Sequence, residues 1–349
     1  MDTKVLKALQ WKVFQNVAAA QLVPLMRIGD ELGLFTRLAD IGPCDNASFA
    51  KAAGIHERYS LEWLCAMCAA GYASYDSDKG HFFLSEEQAA VFAYEDSTAL
   101  MIGAYDSVAS LVMDEPKVRA AFKSGEGLGW GEHHPCYFRG TARFFKPVYK
   151  SNLVSRWLPQ IPALNEKLAA GGSFADVGCG HGVSTMLIAE HFSRAQVHGF
   201  DFHGPSIEEA KRLAAEAGLS ERIHYDTRSA KDYSGSFDVI AFFDCLHDMG
   251  DPVGAAQHAC HQLKDDGLLV IIEPFANDKL EDNFNIVGQM FFTASTMGCV
   301  PASMAQEVGL ALGAQAGPAK LGMVLQQAGF STVETVATTA TNMVLCAKK

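Results

Sequence analysis

A glycine-rich loop between a predicted strand and a predicted helix is the feature that most constrains the fold of this chain. The apolar run SFADV (173–177) ends at GCGHG (178–182), and residues 183–191 then repeat apolar positions at helical spacing. Because glycine has no Cβ, such a loop turns sharply and lets its backbone approach a ligand closely. The chain is therefore predicted to be an α/β protein with a ligand site where this strand ends.

The alternation of strands and helices continues beyond the loop. Strands are predicted at residues 196–201, 222–227, 237–244 and 267–274, and helices at residues 206–217 and 253–263. This order is typical of a parallel sheet with crossover helices on its faces. Farther on, a helix is predicted at residues 319–329, and residues 330–338 and 342–349 are predicted to pair as a hairpin at one sheet edge.

The region before the loop has a different character. Residues 17–35 and 46–72 carry apolar positions at helical spacing, and HFFLSEEQAAVF (81–92) indicates a short strand followed by a helix that Ser85 caps. This order resembles a winged helix. The helical, aromatic-rich region ends near residues 159–172, where we expect a boundary before the α/β region.

Acidic residues near the loop indicate which ligand it binds. The dinucleotide-binding fingerprint requires glycine at the position of Val183, so the spacing argues against a nicotinamide cofactor. Asp176 precedes the first glycine by two positions, where a carboxylate attracts a cationic group. Asp201 ends the second strand and can accept hydrogen bonds from both ribose hydroxyls, with Phe202 or His203 beside the adenine. S-adenosylmethionine, which carries an ammonium and a sulfonium, matches these requirements.

From about residue 150 to the C-terminus, the chain resembles the class I S-adenosylmethionine-dependent methyltransferases. The motifs that carry the resemblance are DVGCGHG, GFDFH, FDVIAFFDCLHDMGDP and LKDDGLLVIIEP. The resemblance implies a Rossmann-like, seven-stranded methyltransferase sheet that binds S-adenosylmethionine and releases S-adenosylhomocysteine. It also implies that Asp176, Gly178 and Gly180 hold the methionine portion of the cofactor, and that Asp201 holds the ribose.

The residues after the third and fourth strands complete the predicted cofactor site. The resemblance implies that Ser229 and Ala230 hold the adenine. The family often has an aspartate at the position of Ser229, so either Ser229 or Asp232 binds the adenine amine. Asp244 and Cys245, where the fourth strand ends, are also expected at the cofactor.

A histidine and a glutamate form the predicted catalytic pair. His247 follows the fourth strand, at the sheet edge where ligands of such folds bind, and is the predicted general base. Glu273 ends the fifth strand, where it can orient His247 and stabilise the imidazolium. The sequences LHD and IIEP are similar to those of small-molecule O-methyltransferases with an N-terminal winged-helix dimerisation domain. Met249 replaces the usual aromatic residue of that family, and residues 275–318 depart from its pattern.

The chemistry of a histidine base limits the methyl acceptor. A base that works near pH 7 deprotonates thiols, with a pKa of about 8.5, or phenols, near 10, far more readily than simple alcohols. We therefore expect methyl transfer to a thiol or an acidic, phenol-like hydroxyl of a small molecule. N- or C-methylation of a small metabolite is the alternative.

Two segments of unusual composition are predicted to cover the acceptor. Residues 127–149 are rich in aromatic side chains and suit a lid over a small aromatic molecule, although an interdomain core is an equally good interpretation. Residues 283–317 are nearly uncharged and rich in Met and Phe, as expected for the other pocket wall or for a dimer interface. The candidate substrate residues are Trp130, His133, Tyr137, Phe138, Phe145 and Met290.

These features predict three domains. Residues 1–100 form a winged-helix dimerisation domain, residues 101–160 a helical, aromatic linker and substrate lid, and residues 161–349 the S-adenosylmethionine-binding methyltransferase domain. A homodimer is expected because the first helix supplies apolar surface that a small domain cannot bury alone. The residues concerned are Trp11, Phe14, Val17, Leu22 and Leu25.

A winged-helix regulator with an S-adenosylmethionine-sensing domain is the alternative from another class of protein. It requires a basic recognition helix, yet residues 45–95 contain three Lys or Arg against eight Asp or Glu. The whole chain has a net charge of −12, which opposes contact with a phosphate backbone. We therefore expect no nucleic-acid partner.

Metal binding, export and membrane insertion are not indicated by the sequence. The nine cysteines are odd in number and scattered, no segment is typical of a bilayer span, and the N-terminus lacks a signal-peptide pattern, so a cytoplasmic protein is expected. His258 and His261 have no third ligand at suitable spacing. Cys65 and Cys68 are predicted to share one apolar helical face with Leu61 and Leu64.

Overall fold

The computed structural model describes residues 1–349 and divides the chain into two units. The N-terminal unit comprises Met1–Ala109 and Arg139–Pro147, and the C-terminal unit comprises Ser110–Phe138 and Val148–Lys349. Residues 101–160, for which a separate linker and lid are predicted, contribute to both units. Two helices run across the division, namely α6 (Ala104–Ser124) and α7 (Cys136–Asn152).

The N-terminal unit is a winged helix, as predicted. Its elements are α1 (Thr3–Glu31), α2 (Leu34–Ile41), α3 (Asn46–Ala53), α4 (Glu57–Ala69), β1 (Ser74–Asp76), β2 (His81–Phe83) and α5 (Glu86–Phe92). The wing is the antiparallel pair β1 and β2. Helix α5 begins with a capping box in which the Ser85 hydroxyl accepts from the Gln88 amide and the Gln88 side chain accepts from the Ser85 amide.

The buried face of α4 differs from the predicted one. Ser60, Trp63, Leu64 and Met67 are buried, whereas Leu61 and Cys65 are exposed, so the prediction that these two residues share the core face is wrong. The Trp63 indole donates to the Leu25 carbonyl at 3.1 Å, and its ring packs against the ring of Phe35. Burial of this large side chain turns the helix so that its inner face starts one residue earlier than the apolar spacing indicates.

The C-terminal unit alternates helices and strands in the predicted order. Its further elements are α8 (Pro162–Ala169), β3 (Ser173–Val177), α9 (Val183–His191), β4 (Gln196–Asp201), α10 (Gly204–Glu216), β5 (Ile223–Thr227), β6 (Phe237–Phe243), α11 (Pro252–Gln262), β7 (Leu263–Pro274), α12 (Ile286–Ala294), α13 (Val300–Met304), α14 (Pro318–Gln327), β8 (Thr332–Thr338) and β9 (Asn342–Lys348). None of the helices in the chain combines the length and apolar character needed to cross a bilayer.

The seven strands form one sheet in the order β5-β4-β3-β6-β7-β9-β8. Strands β3 to β7 are mutually parallel, and the C-terminal hairpin adds β9 and β8 in antiparallel orientation. The predicted seven-stranded methyltransferase sheet is therefore confirmed. Because the strand order reverses between β3 and β6, a crevice opens at the carboxyl ends of the parallel strands. The glycine loop and the residues that follow β4, β6 and β7 all lie at this edge.

Candidate active site

The glycine loop at the end of β3 is shaped by three positive backbone angles. Gly178, Gly180 and Gly182 have φ values of 78°, 53° and 75°. A Cβ on Gly178 would lie 2.7 Å from the Cys245 sulfur, and one on Gly182 would lie 2.2 Å from the Tyr225 hydroxyl oxygen, so packing excludes side chains there. A Cβ on Gly180 would meet no atom within 4 Å. Gly180 therefore borders open space, as a residue that cradles a ligand does.

Asp176, the last residue but one of β3, is fully buried behind the loop. Its Oδ2 atom accepts hydrogen bonds from the hydroxyls of Ser184 and Thr185 at 2.6 and 2.7 Å, whereas Oδ1 is buried without a partner. Burial raises the pKa of Asp176 to about 6, and the nearby Asp201 carboxylate adds to this effect. A buried carboxylate oxygen without a donor is costly, so the site suits a ligand that brings a cationic or N–H group.

Asp201 joins the glycine loop to the loop after β4. Its Oδ2 atom accepts from the Gly180 amide at 2.9 Å, and its Oδ1 atom accepts from the His203 amide at 2.8 Å. Each carboxylate oxygen has a second lone pair, so both can still accept from a pair of ligand hydroxyls. The neighbouring Phe202 is exposed, and the His203 ring packs 4.9 Å from the ring of Phe138. Carboxylate oxygens and aromatic rings, which are groups able to contact a nucleoside, are therefore adjacent at this loop.

The loop after β5 contains both candidates for the adenine amine. Asp232 Oδ1 accepts from the Ser229 amide at 2.8 Å and thereby closes a turn. The Ser229 hydroxyl accepts from the Lys231 amide at 3.3 Å, and Ala230 packs against the core beneath the sheet edge. One oxygen of Asp232 is thus used to hold the turn.

Asp244 and Cys245 follow β6 and are engaged within the protein. Asp244 has a φ of 51° and accepts hydrogen bonds from the Tyr149 hydroxyl and, at 3.1 Å, from the Asn342 side-chain amide. Burial and the charge of Glu273 raise the pKa of Asp244 to about 8. The Cys245 thiol donates to the Val177 carbonyl at 3.2 Å, directly beneath the glycine loop. Tyr149 and Asn342 are partners that sequence reasoning did not identify.

His247 and Glu273, the predicted catalytic pair, are in direct contact. His247 lies in a one-turn 3-10 helix, Leu246–Asp248, immediately after β6, and Glu273 lies near the end of the adjacent strand β7. The Nδ1 atom of His247 contacts Glu273 Oε2, and the His247 amide donates to Glu273 Oε1 at 3.2 Å. Although burial lowers the pKa of His247, the Glu273 carboxylate and Cys299 raise it well above its usual value.

A thiol completes this row of side chains and was not identified from the sequence. The Cys299 sulfur lies 3.3 Å from His247 Nε2, the ring atom on the side opposite Glu273. Cys299 is buried at the end of a short π-helical segment, Ser295–Cys299, between α12 and α13. The long segment after β7 therefore reaches His247, and Cys299 occupies the side of the ring opposite Glu273.

Asp248, next to the base, is a second residue that the sequence analysis missed. Burial raises its pKa to about 7; His247 lowers it, while the charges of Glu273 and Asp201 raise it. These charged neighbours include the aspartate at the cofactor end of the crevice and the candidate base. The pKa of Asp248 therefore responds to charged residues in both predicted parts of the site.

Four of the predicted substrate residues form one aromatic cluster in the C-terminal unit. Ring centroids of Trp130 and Tyr137 are 5.5 Å apart, those of His133 and Tyr137 are 4.7 Å apart, and those of Trp130 and Phe138 are 5.7 Å apart. Phe145 belongs to the N-terminal unit and is not a member of this cluster.

The cluster borders the segment that carries Cys299. A Cβ on Gly298 would lie only 2.1 Å from the Tyr137 hydroxyl oxygen, so the two are closely packed. Met290 lies on α12 in the same segment and is exposed. The lid predicted from residues 127–149 and the wall predicted from residues 283–317 therefore meet at Tyr137.

Metal coordination has no candidate site. No group of three or more His, Cys, Asp or Glu side chains in the chain is arranged to hold an ion. The His258 Nε2 atom instead lies 2.7 Å from the Tyr233 carbonyl oxygen, as expected for an ordinary helix residue.

Two family models match the chain. Residues 168–329 match the model of a methyltransferase domain, and residues 20–94 match the model of an Rv2258c-like winged HTH domain. These matches confirm the predicted combination of a winged-helix domain with a methyltransferase domain.

The matches to curated relatives cover only part of each relative's length. A ubiquinone biosynthesis O-methyltransferase from Pseudomonas paraeruginosa is 27% identical over 147 residues, which is 41% of this chain and 60% of that protein. The 27-O-demethylrifamycin SV methyltransferase of Amycolatopsis mediterranei is 26% identical, over 41% of this chain and 51% of its own. The chain spans 60%, 24% and 43% of the first three curated relatives that it matches.

Solved structures match over nearly the whole chain. Human N-acetylserotonin methyltransferase, solved in complex with S-adenosylmethionine, has a TM-score of 0.74 and 17% identity, with 97% of each chain covered. Mitomycin 7-O-methyltransferase has a TM-score of 0.70 and 16% identity, with 100% of each chain covered. At these identities the likeness shows the fold.

Proposed function

We propose that this chain, which carries a methyltransferase domain behind a winged-helix domain, transfers a methyl group from S-adenosylmethionine to the acidic, phenol-like hydroxyl of a small molecule. The observation that carries the proposal is the buried His247–Glu273 pair beside the glycine loop, because it combines a base with a cofactor cradle at one sheet edge. The O-methyltransferases among the curated relatives favour oxygen as the acceptor atom.

The cofactor site that we propose is supported by two features of the structure. The unpartnered Oδ1 atom of Asp176 would accept a hydrogen bond from the methionine portion of the cofactor. The open space at Gly180 would let that portion lie against the backbone of the loop. Asp201 would accept from the ribose hydroxyls, with Phe202 at the nucleoside, and Ser229 and Ala230 would border the adenine. When bound, S-adenosylmethionine supplies an electrophilic methyl group on its sulfonium.

The base acts on the acceptor through His247 Nε2. Glu273 holds the opposite ring nitrogen, Nδ1, so that the proton of the acceptor hydroxyl is taken up at Nε2 and the resulting imidazolium is stabilised by the carboxylate. The acceptor hydroxyl must first replace the Cys299 thiol at this atom. Positioning of the deprotonated oxygen in line with the methyl group supplies the remainder of the catalysis.

Product analysis tests this proposal. The protein is incubated with S-adenosylmethionine labelled in its methyl group and with panels of phenols, thiols and amines, and the products are identified by mass spectrometry. We expect the label on the oxygen of a phenol. Label on sulfur, nitrogen or carbon would correct the acceptor class, and binding of the cofactor without any labelled product would contradict the enzyme proposal in favour of a sensing domain.

We also propose that α1 forms a homodimer interface. Trp11 and Phe14 stack on each other at 5.4 Å, yet each is 61% exposed, and Val17 on the same helix is also exposed. Leu22 and Leu25, in contrast, pack against the core of the N-terminal unit. An exposed aromatic stripe of this kind is typical of an interaction surface.

Light scattering checks the proposed interface. We expect a dimer at micromolar concentration and a shift toward monomer of at least tenfold in the dissociation constant for the double variant Trp11→Ser, Phe14→Ser. Phe122→Ser, which removes another exposed aromatic ring, on α6, is the matched control and should stay dimeric. A monomeric wild type would contradict the proposal.

A further inference from the structure

A buried histidine atom in the aromatic cluster lacks a hydrogen-bond partner. His133 follows the short 3-10 helix Trp130–Glu132 and is only 4% exposed. Its Nδ1 atom lies 3.1 Å from Asp114 Oδ2, whereas its Nε2 atom is buried and unpartnered. Because the great majority of buried polar atoms in proteins are hydrogen-bonded, an orphan of this kind points to a partner from outside the chain.

The surroundings of His133 determine what that partner must be. Asp114 also accepts from the His134 amide at 2.9 Å and from the Lys117 ammonium at 3.1 Å, and these donors hold its pKa below the usual value in spite of burial. Asp114 is therefore a carboxylate, and the proton of the His133 ring lies on Nδ1. Burial lowers the pKa of His133, so the ring is neutral and Nε2 carries only a lone pair. The missing partner is a hydrogen-bond donor.

His133 and the candidate base His247 belong to one connected group of packed side chains. The His133 ring stacks on the ring of Tyr137 at 4.7 Å, and the Tyr137 hydroxyl packs against Gly298. The next residue is Cys299, whose sulfur contacts His247 Nε2. A contiguous set of contacts within the C-terminal unit thus joins the two histidine–carboxylate pairs.

We propose that His133 is a specificity-determining residue that binds a second polar group of the methyl acceptor through Nε2. Because this atom can only accept, the second group must be a donor, either a hydroxyl or an N–H. The inference rests on the proposed function and narrows its substrate class to small aromatic molecules that carry a hydrogen-bond donor in addition to the reacting hydroxyl. His133 positions the acceptor, and it takes no part in the proton transfer to His247.

Matched pairs of probes test this inference. Each of the three benzenediols is compared with its monomethyl ether, which keeps one transferable hydroxyl but has no second donor. We expect the wild type to prefer the diols by roughly ten- to hundredfold in kcat/KM, after correction for their two equivalent hydroxyls, because an ether leaves a buried acceptor unpaired. The preference should also appear in dissociation constants measured by calorimetry with S-adenosylhomocysteine present.

Three variants separate recognition by Nε2 from a structural role. His133→Phe keeps an aromatic ring but removes the lone pair, so the ratio of kcat/KM for the diols to that for their ethers should fall to about one. His133→Gln restores an accepting oxygen at the end of the side chain and should retain part of it. His224→Phe, at an exposed histidine on β5, is the matched control and should keep the full preference.

The outcomes distinguish this inference from the proposed function. A diol preference that persists in His133→Phe, or a wild type that binds diols no better than their ethers, would overturn the inference. Preferential diol binding that is lost in His133→Phe, without methyl transfer to any probe, would support the inference while the proposed function fails.

Discussion

Replacement of His247 by alanine is expected to lower kcat by roughly two to four decades while the affinity for S-adenosylmethionine changes little. The physical reason is that proton transfer by a positioned base contributes a factor of this size, and in the proposed mechanism the acceptor replaces Cys299 at the Nε2 atom of His247. Steady-state kinetics on the acceptor found by product analysis provides the measurement. His261→Ala, at an exposed histidine on α11, is the matched control and should retain wild-type turnover.

Three pH profiles, of the wild type and of two variants, sharpen this prediction. Because Glu273 raises the pKa of His247, a substantial part of the base is protonated at neutral pH, and kcat/KM should rise with pH through that pKa. Glu273→Gln removes the negative charge that raises the pKa of His247, so the rise of kcat/KM with pH should occur at lower pH. The loss of kcat in this variant should be smaller than in His247→Ala. In His247→Ala the activity should recover toward the pKa of the acceptor, near 10 for a phenol and about 8.5 for a thiol. Wild-type turnover of His247→Ala near pH 7 would exclude His247 as the base.

Gly180→Val is expected to weaken binding of S-adenosylhomocysteine by about two decades or more. Gly180 has a positive φ and faces open space beside Asp201, so a branched side chain there would fill the proposed cofactor cradle. The backbone strain of a side chain in the left-handed conformation, about 1–2 kcal/mol, must be separated from this loss.

Gly218→Val is the matched control for the cofactor prediction. Gly218 follows α10 with a φ of 72°, and a Cβ there would also meet no atom within 4 Å. Denaturant unfolding should show similar losses of stability in the two variants, and calorimetry should show a loss of affinity in Gly180→Val alone. Equal affinities in the two variants would contradict a cofactor site at this loop.

Most of the sheet could be predicted to within two residues, although β7 begins at Leu263, four residues before its predicted start. Strand β3 and helix α9 have the bounds that the sequence indicates, because a strand buried on both faces is a continuous apolar run and the glycine loop marks its end. The contact between His247 and Glu273 could also be anticipated, since His247 follows β6 and Glu273 lies near the end of the adjacent parallel strand β7, and such strand ends lie side by side.

Contacts made by irregular segments could not be predicted. Cys299 lies 52 positions from His247 in the sequence, in a π-helical segment with no periodic pattern, so nothing in its neighbourhood indicates that it reaches the base. The same holds for Asp114, which meets His133 across 19 positions, and for Tyr149, which meets Asp244 across 95. In α4 the periodicity was visible, but the size of Trp63 determined which side of the helix is buried.

In the proposed mechanism, every acceptor has to displace the Cys299 thiol from the Nε2 atom of His247. A thiol is a weak hydrogen-bonding partner both as donor and as acceptor, so loss of this contact costs the protein little. A phenol that takes its place exchanges a weak bond for a strong one and gains free energy at the reacting atom itself. A thiol acceptor exchanges one S–H for another and gains nothing from the same step. Under the proposed function, displacement of the Cys299 thiol therefore favours an oxygen acceptor over a sulfur acceptor at the binding step, before the methyl group is transferred.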